Sequence, residues 1–131
     1  MTATYERKGP VAYITLARSD AMNAMDRRMY KAVNEAFYKL NEDKEAKVAI
    51  LSSSNPDAFC AGVDIRDIHK AMTEEGLSLD DLAGQCSIFF EEPGHLYKPV
   101  IAAINGHCVG EGMVMTLFCD IRIAAYDARF C

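Results

Sequence analysis

An α/β arrangement with crossover connections follows from three features of this chain. Its apolar segments alternate between short β-branched runs and longer stretches of helical period, in the order β-α-β-α-α-β-α-β. Two of the short runs, residues 47–51 and 99–104, have no polar interruption, which predicts strands covered on both faces by helices. Finally, 131 residues with 50% hydrophobic and 25% charged side chains are the length and composition of one globular unit.

Each element has its own signal. Residues 11–16 (V-A-Y-I-T-L) are rich in β-branched and aromatic side chains and follow Gly9-Pro10, so they read as a strand. A polar stretch, residues 18–23, turns the chain. Asp26 is placed to cap a helix that carries Met29, Tyr30, Val33, Phe37 and Leu40 on one face and ends near Asn41. Residues 47–51 (K-V-A-I-L) form a second strand, broken by Ser52-Ser53-Ser54-Asn55-Pro56-Asp57. Helices are expected over residues 65–72 and 79–92, the second stopped by Pro93-Gly94. Residues 99–104 (P-V-I-A-A-I) are a third strand, a helix runs through Met113, Leu117 and Phe118, and residues 120–125 (D-I-R-I-A-A) are a fourth strand. No internal repeat, linker or low-complexity segment stands out.

Charge and cysteine usage narrow the class of partner. Lys and Arg number 14 against 19 Asp and Glu, a net charge of -5, so no general cationic field exists for nucleic acid. The first ten residues lack an apolar signal core, and no apolar run reaches the ~18 residues of a membrane span. These features predict a soluble, cytoplasmic protein without membrane association. Cys60, Cys86, Cys108, Cys119 and Cys131 are scattered and odd in number, as expected of reduced thiols. His69, His95 and His107 do not share helical spacing, so no metal site is expected.

Two segments place glycine where a strand hands over to a helix: Ala58-Phe59-Cys60-Ala61-Gly62-Val63-Asp64-Ile65 and Asn105-Gly106-His107-Cys108-Val109-Gly110-Glu111-Gly112. Brought together, two such turns would aim main-chain N–H donors at one carbonyl oxygen as it gains negative charge. Taken alone, the paired glycine turns are no more than suggestive, and turn-making by itself accounts for them as well, because neither segment is a phosphate loop or a full dinucleotide fingerprint.

The order Phe59-Cys60-Ala61-Gly62-Val63-Asp64-Ile65, then Lys98-Pro99-Val100-Ile101-Ala102-Ala103-Ile104-Asn105-Gly106, then Cys119-Asp120-Ile121-Arg122-Ile123-Ala124 resembles the crotonase superfamily, the enoyl-CoA hydratases and isomerases. Asn23-Ala24 fits the same pattern, with Ser19 where a proline is often found. The resemblance implies a spiral of ββα units that binds an acyl-CoA thioester, with coenzyme A as substrate carrier, no separate cofactor and no metal. It assigns the two oxyanion donors to the N–H groups of Val63 and Glu111. It places Ala21, Asn23, Ala24, Ala61, Asp64, Ile65, Arg66, Gly110 and Val114 along the acyl-CoA path. Arg18 and Arg66 are then candidates for CoA phosphates, or else solvated surface charges.

The catalytic carboxylates depart from the pattern. Val114 stands where hydratases of the family carry a glutamate, and it cannot transfer a proton. A second family glutamate falls beyond Cys131. Glu111 replaces the usual glycine of the turn, which puts a carboxylate beside the donor pair as a substitute acid or base or as a solvated helix-start acid. A Cys108–His107 nucleophile fits no family position. Full-length members run well past this length and assemble as a homotrimer or a dimer of trimers. The expectation is therefore that residues 1–131 are the N-terminal portion of a crotonase-like acyl-CoA-binding domain, its C-terminal half absent. Three functions are consistent with the residues: an enoyl-CoA hydratase or isomerase, a catalytically silent binding or assembly subunit of the same fold, and an unrelated α/β nucleotide binder.

Overall fold

A computed structural model describes residues 2–88 and 96–131. It opens with an antiparallel hairpin of β1 (Ala3–Lys8) and β2 (Val11–Leu16), turned at Gly9. Sequence reasoning left β1 out, because T-Y-E-R-K is a charged edge strand whose outer half is exposed. In β2 the side chains alternate, with Ala12, Ile14 and Leu16 buried. Helix α1 (Arg27–Glu42) packs on that hairpin through Met29, Tyr30, Val33, Ala36, Phe37 and Leu40. Burying each of the larger side chains contributes about 1.5–3 kcal/mol. Its start is fixed by Asp26, whose Oδ1 accepts the Met29 N–H at 2.7 Å.

After α1 the chain repeats one manoeuvre. Strand β3 (Val48–Ser53) joins the large sheet, and β4 (Ala58–Cys60) then starts a small one before α2 (Ile65–Thr73) and α3 (Leu79–Gln85). Strand β5 (Val100–Ile104) returns to the large sheet, β6 (His107–Cys108) to the small one, and α4 (Glu111–Leu117) follows. Strands β7 (Ile121–Ala124) and β8 (Arg129–Phe130) repeat the pair. The large sheet has the order β1-β2-β3-β5-β7, parallel beyond the opening hairpin, and the small sheet runs β4-β6-β8, all parallel.

Three expectations need correction. The ββα repeat that the resemblance implies is present, but the element order read from the apolar segments missed its second strands, which are too short to show a period. The uninterrupted runs are not covered on both faces: Ala49 and Leu51 of β3 are buried while Val48 and Ile50 are half-buried. All four residues of β7 are exposed. Helix α3 ends at Gln85 and residues 86–88 are not helical; the remainder of the helix expected up to residue 92, its Pro93-Gly94 stop and His95 lie outside the described residues.

Candidate active site

The small sheet determines where the two glycine turns lie. Strands β4 and β6 pair side by side, Cys60 opposite Cys108, so the turns that leave them, residues 61–63 and 109–111, leave from neighbouring positions. They meet backbone to backbone. A methyl group added at Gly62, whose φ is +92°, would lie 3.1 Å from the Val109 carbonyl oxygen and 3.7 Å from the Gly110 Cα. Gly110 (φ +51°) reciprocates, with an added methyl 3.7 Å from the Gly62 Cα. Only glycine combines the positive φ with that approach.

The hydrogen-bond pattern singles out two donors. At the first turn, Met25 N–H donates to the Gly62 carbonyl and Asp64 N–H to the Met25 carbonyl, while Val63 N–H has no acceptor among the described residues. At the second, Gly110 N–H donates to the Cys131 carbonyl and Gly112 N–H to the Val109 carbonyl, while Glu111 N–H has none among the described residues. Each unpaired N–H therefore lies between paired neighbours.

A cleft of about 700 Å³ runs past the first turn and includes Ala21, Ala24, Ala61, Val63, Asp64, Ile65 and Arg66 in its lining. That size suits a ligand of the mass of a nucleotide derivative. Six of the nine residues assigned to the acyl-CoA path thus come together with the assigned donor Val63. Asn23 does not line it. Its side chain is fully buried and braces the frame, accepting from Arg18 N–H at 2.8 Å and donating to Ser53 Oγ at 2.7 Å and the Phe59 carbonyl at 3.0 Å. Gly110 and Glu111 form the opposing turn. Val114 is one helical turn further along α4 and is 37% exposed.

The two arginines differ. Arg18 donates to Asp64 at 2.7 Å and to the Ala24 carbonyl at 2.7 Å, so its guanidinium is a partly buried brace of the cleft wall. Burial opposes ionisation of Asp64, yet the Arg18 hydrogen bond and the N–H groups of Asp67 and Arg66 outweigh it and hold that carboxyl below its usual range. Arg66 is exposed on the rim, with no carboxylate partner among the described residues. Arg28 and Lys70, which sequence reading passed over, also line this cleft; nothing in their spacing marked them, since they sit on different helices.

Glu111 is half-buried at the start of α4. Burial pushes its carboxyl above the ordinary glutamate value, and a hydrogen bond from the Tyr30 hydroxyl partly offsets this. Tyr30 was legible only as a core residue of α1. Cys60 and Cys108 are poor nucleophiles: burial pushes the Cys60 thiol up to about 12 and the Cys108 thiol up to about 11. Among the described residues no group of three metal-ligating side chains occurs, and no helix is long and apolar enough to cross a membrane.

A larger cleft of about 880 Å³ lies along α1 and α2, lined by Arg27, Lys31 and Tyr38 among others, and contains neither turn. Its Arg27 is tied to Asp67 and Glu75 at 3.0 and 2.7 Å. The smaller cleft is the one lined by Val63, whose N–H has no acceptor among the described residues.

The chain is similar to the short-chain enoyl-CoA hydratase of Clostridium acetobutylicum, 35% identical over 125 residues, covering 95% of this chain and 47% of that protein. It is also similar to the (E)-benzylidenesuccinyl-CoA hydratase of Thauera aromatica, 34% identical over 130 residues, covering 99% of this chain and 49% of the relative. The chain thus spans about half the length of the curated relatives it matches. Among solved structures, the carnitinyl-CoA hydratase of Mycobacterium avium superposes with a TM-score of 0.81 at 31% identity, over 98% of this chain and 48% of that one. An enoyl-CoA hydratase of Mycobacterium marinum gives 0.83 at 26% identity, over 99% and 60%. Residues 6–131 match the enoyl-CoA hydratase/isomerase family as a whole, and with the paired-sheet ββα architecture this establishes that the chain belongs to that family and has the crotonase fold.

Proposed function

We propose that residues 1–131 form the N-terminal portion of an acyl-CoA-binding domain that stabilises a thioester enolate between the N–H groups of Val63 and Glu111. The observation that carries this reading is the contact between the Gly62 and Gly110 turns, each beside an N–H without an acceptor among the described residues. Orphan donors held rigidly by paired neighbours stabilise a developing oxyanion because they need no reorganisation when the charge appears. The thioester would lie in the cleft past Ala61 and Val63. Arg66, Lys70 and Arg28 along it supply positive charge for the phosphates of the carrier. Hydration itself is disfavoured by Val114, so isomerisation or another enolate reaction fits the residues equally well.

Assembly as a homotrimer or a dimer of trimers is part of the proposal. It is supported by the exposed apolar side chains Val114, Leu117, Ile121 and Ile123 on α4 and β7, a surface that further chain or further subunits would bury.

The test is titration of the intact protein with acetoacetyl-CoA and with free CoA, read by the near-ultraviolet absorption of the bound enolate. The expected result is preference for the thioester, enolate absorption on binding, and loss of both in a folded Gly110→Val variant. Equal affinity for CoA and thioester without enolate absorption overturns the reading. Thioester binding with enolate formation but no turnover of any enoyl-CoA identifies the silent subunit, which the apolar Val114 favours.

A further inference from the structure

The direction of the Val63 N–H is set by its own peptide plane. That plane carries the Gly62 carbonyl, and in a trans peptide the carbonyl and the N–H point opposite ways. The Gly62 carbonyl accepts from Met25 N–H at 2.8 Å, and Asp64 N–H donates back to the Met25 carbonyl at 3.0 Å. The Val63 donor is therefore aimed by the segment just ahead of α1. The other donor is set differently: Glu111 N–H shares its plane with the Gly110 carbonyl, which accepts from Val114 N–H at 3.0 Å within the start of α4.

One more tie extends the ladder between the two segments. Asp67 stands three residues beyond Asp64, in the first turn of α2, and its Oδ2 accepts the Arg27 N–H at 3.0 Å. Arg27 opens α1, so that N–H has no acceptor within the helix. The same carboxylate grips the Arg27 guanidinium with both oxygens, Nε at 3.0 Å and Nη2 at 3.1 Å. Both side chains are only about a fifth exposed, at 21% and 22%, so water screens the pair weakly. Just past the end of α2, Glu75 receives Arg27 Nη1 at 2.7 Å and Nη2 at 2.9 Å, a tie to the side chain alone. Helix α2 buries only Ala71, so apolar packing does little to hold it and polar ties set its place. Resting on the thioester reading above, we propose that Asp67 is a positioning residue for the Val63 oxyanion donor, acting through Arg27 to fix Met25 against the Gly62 turn.

Removing that carboxylate leaves Arg27 N–H without a partner and lets α2 part from the start of α1. The Gly62 carbonyl then loses its fixed angle to Met25, and the Val63 N–H turns with it. A misplacement of about 1 Å is enough to weaken the hold on a developing oxyanion severely. Binding of the carrier does not use that amide and is spared.

The experiment measures, for the intact protein, enolate absorption per bound acetoacetyl-CoA, with the amount bound and the affinity for free CoA taken from calorimetric titration. Asp67→Ala is expected to lower absorption per bound thioester about 10-fold or more without weakening free CoA. Glu75→Gln, which loosens only the side-chain end of the network, is expected to keep the parental value. Arg27→Met removes the guanidinium ties and leaves the main-chain donor; an approximately 3-fold loss is expected, in line with an ion pair partly open to water. Parental absorption in folded Asp67→Ala overturns the inference and leaves the oxyanion reading intact, as does a loss in Glu75→Gln equal to that in Asp67→Ala, which would make the network a structural brace only. Where Asp67→Ala does not fold, a parental value in Arg27→Met overturns it instead. A parent that binds acetoacetyl-CoA no better than free CoA and gives no enolate absorption overturns the thioester reading itself.

Discussion

Asn23 holds a left-handed backbone conformation, φ +55°, and no part of its side chain reaches solvent. Its amide links the loop after β2 to Ser53 of β3 and the Phe59 carbonyl of β4, so one side chain sets the wall of the cleft. Replacing Asn23 by Ala strands Arg18 N–H and the Phe59 carbonyl, at about 1–3 kcal/mol for each buried group left unpaired. Urea denaturation of the intact protein should show that loss, and an unchanged midpoint would refute it. Glu111 makes a prediction with a sign. Its pKa is raised in the folded state, so the stability linked to it is fully present below the ordinary glutamate value and is lost as pH rises through the folded value. Glu111→Gln should therefore gain stability relative to the parent as pH increases from acid to neutral; a pH-independent difference would contradict the half-buried placement of that carboxyl. Both residues were conspicuous in the sequence, Asn23 by resemblance and Glu111 by departure from it. Their partners were not, because Tyr30, Ser53 and Phe59 are distant in sequence and carry no shared pattern.

Elements with a long period were legible and elements without one were not. The spacing of Met29, Tyr30, Val33, Phe37 and Leu40 and the cap at Asp26 located α1 almost to its ends. Strands β4, β6 and β8 have three, two and two residues, too few to show alternation, yet their pairing is what brings the two turns together. Close packing of α4 on β4 completes the arrangement. A methyl group on Gly112 would lie 2.6 Å from the Cys60 Cβ and 2.7 Å from its carbonyl oxygen, distances that require α4 to move. Gly112→Ala should cost about 1–3 kcal/mol through overpacking and weaken acyl-CoA binding along with it, measured by urea denaturation and calorimetric titration. Wild-type values in both would show that α4 is not held against β4 in solution.

Across the whole molecule, two sheets divide the labour. The five-stranded sheet with α1 forms the buried core, and the three-stranded sheet positions the turns. Fold class and family were legible because they depend on apolar order and a few glycine-centred motifs. The cleft was legible only in part: Arg18, a candidate for phosphate, proves to be a brace, and Arg28 and Lys70 reach the cleft from helices the sequence does not connect. The central claim concerns two main-chain amides and one oxygen, and the structure of the intact protein with acetoacetyl-CoA bound tests it most directly. The thioester oxygen is expected about 2.7–3.1 Å from the nitrogens of both Val63 and Glu111. An oxygen bonded to neither amide, with the thioester seated elsewhere, would contradict it.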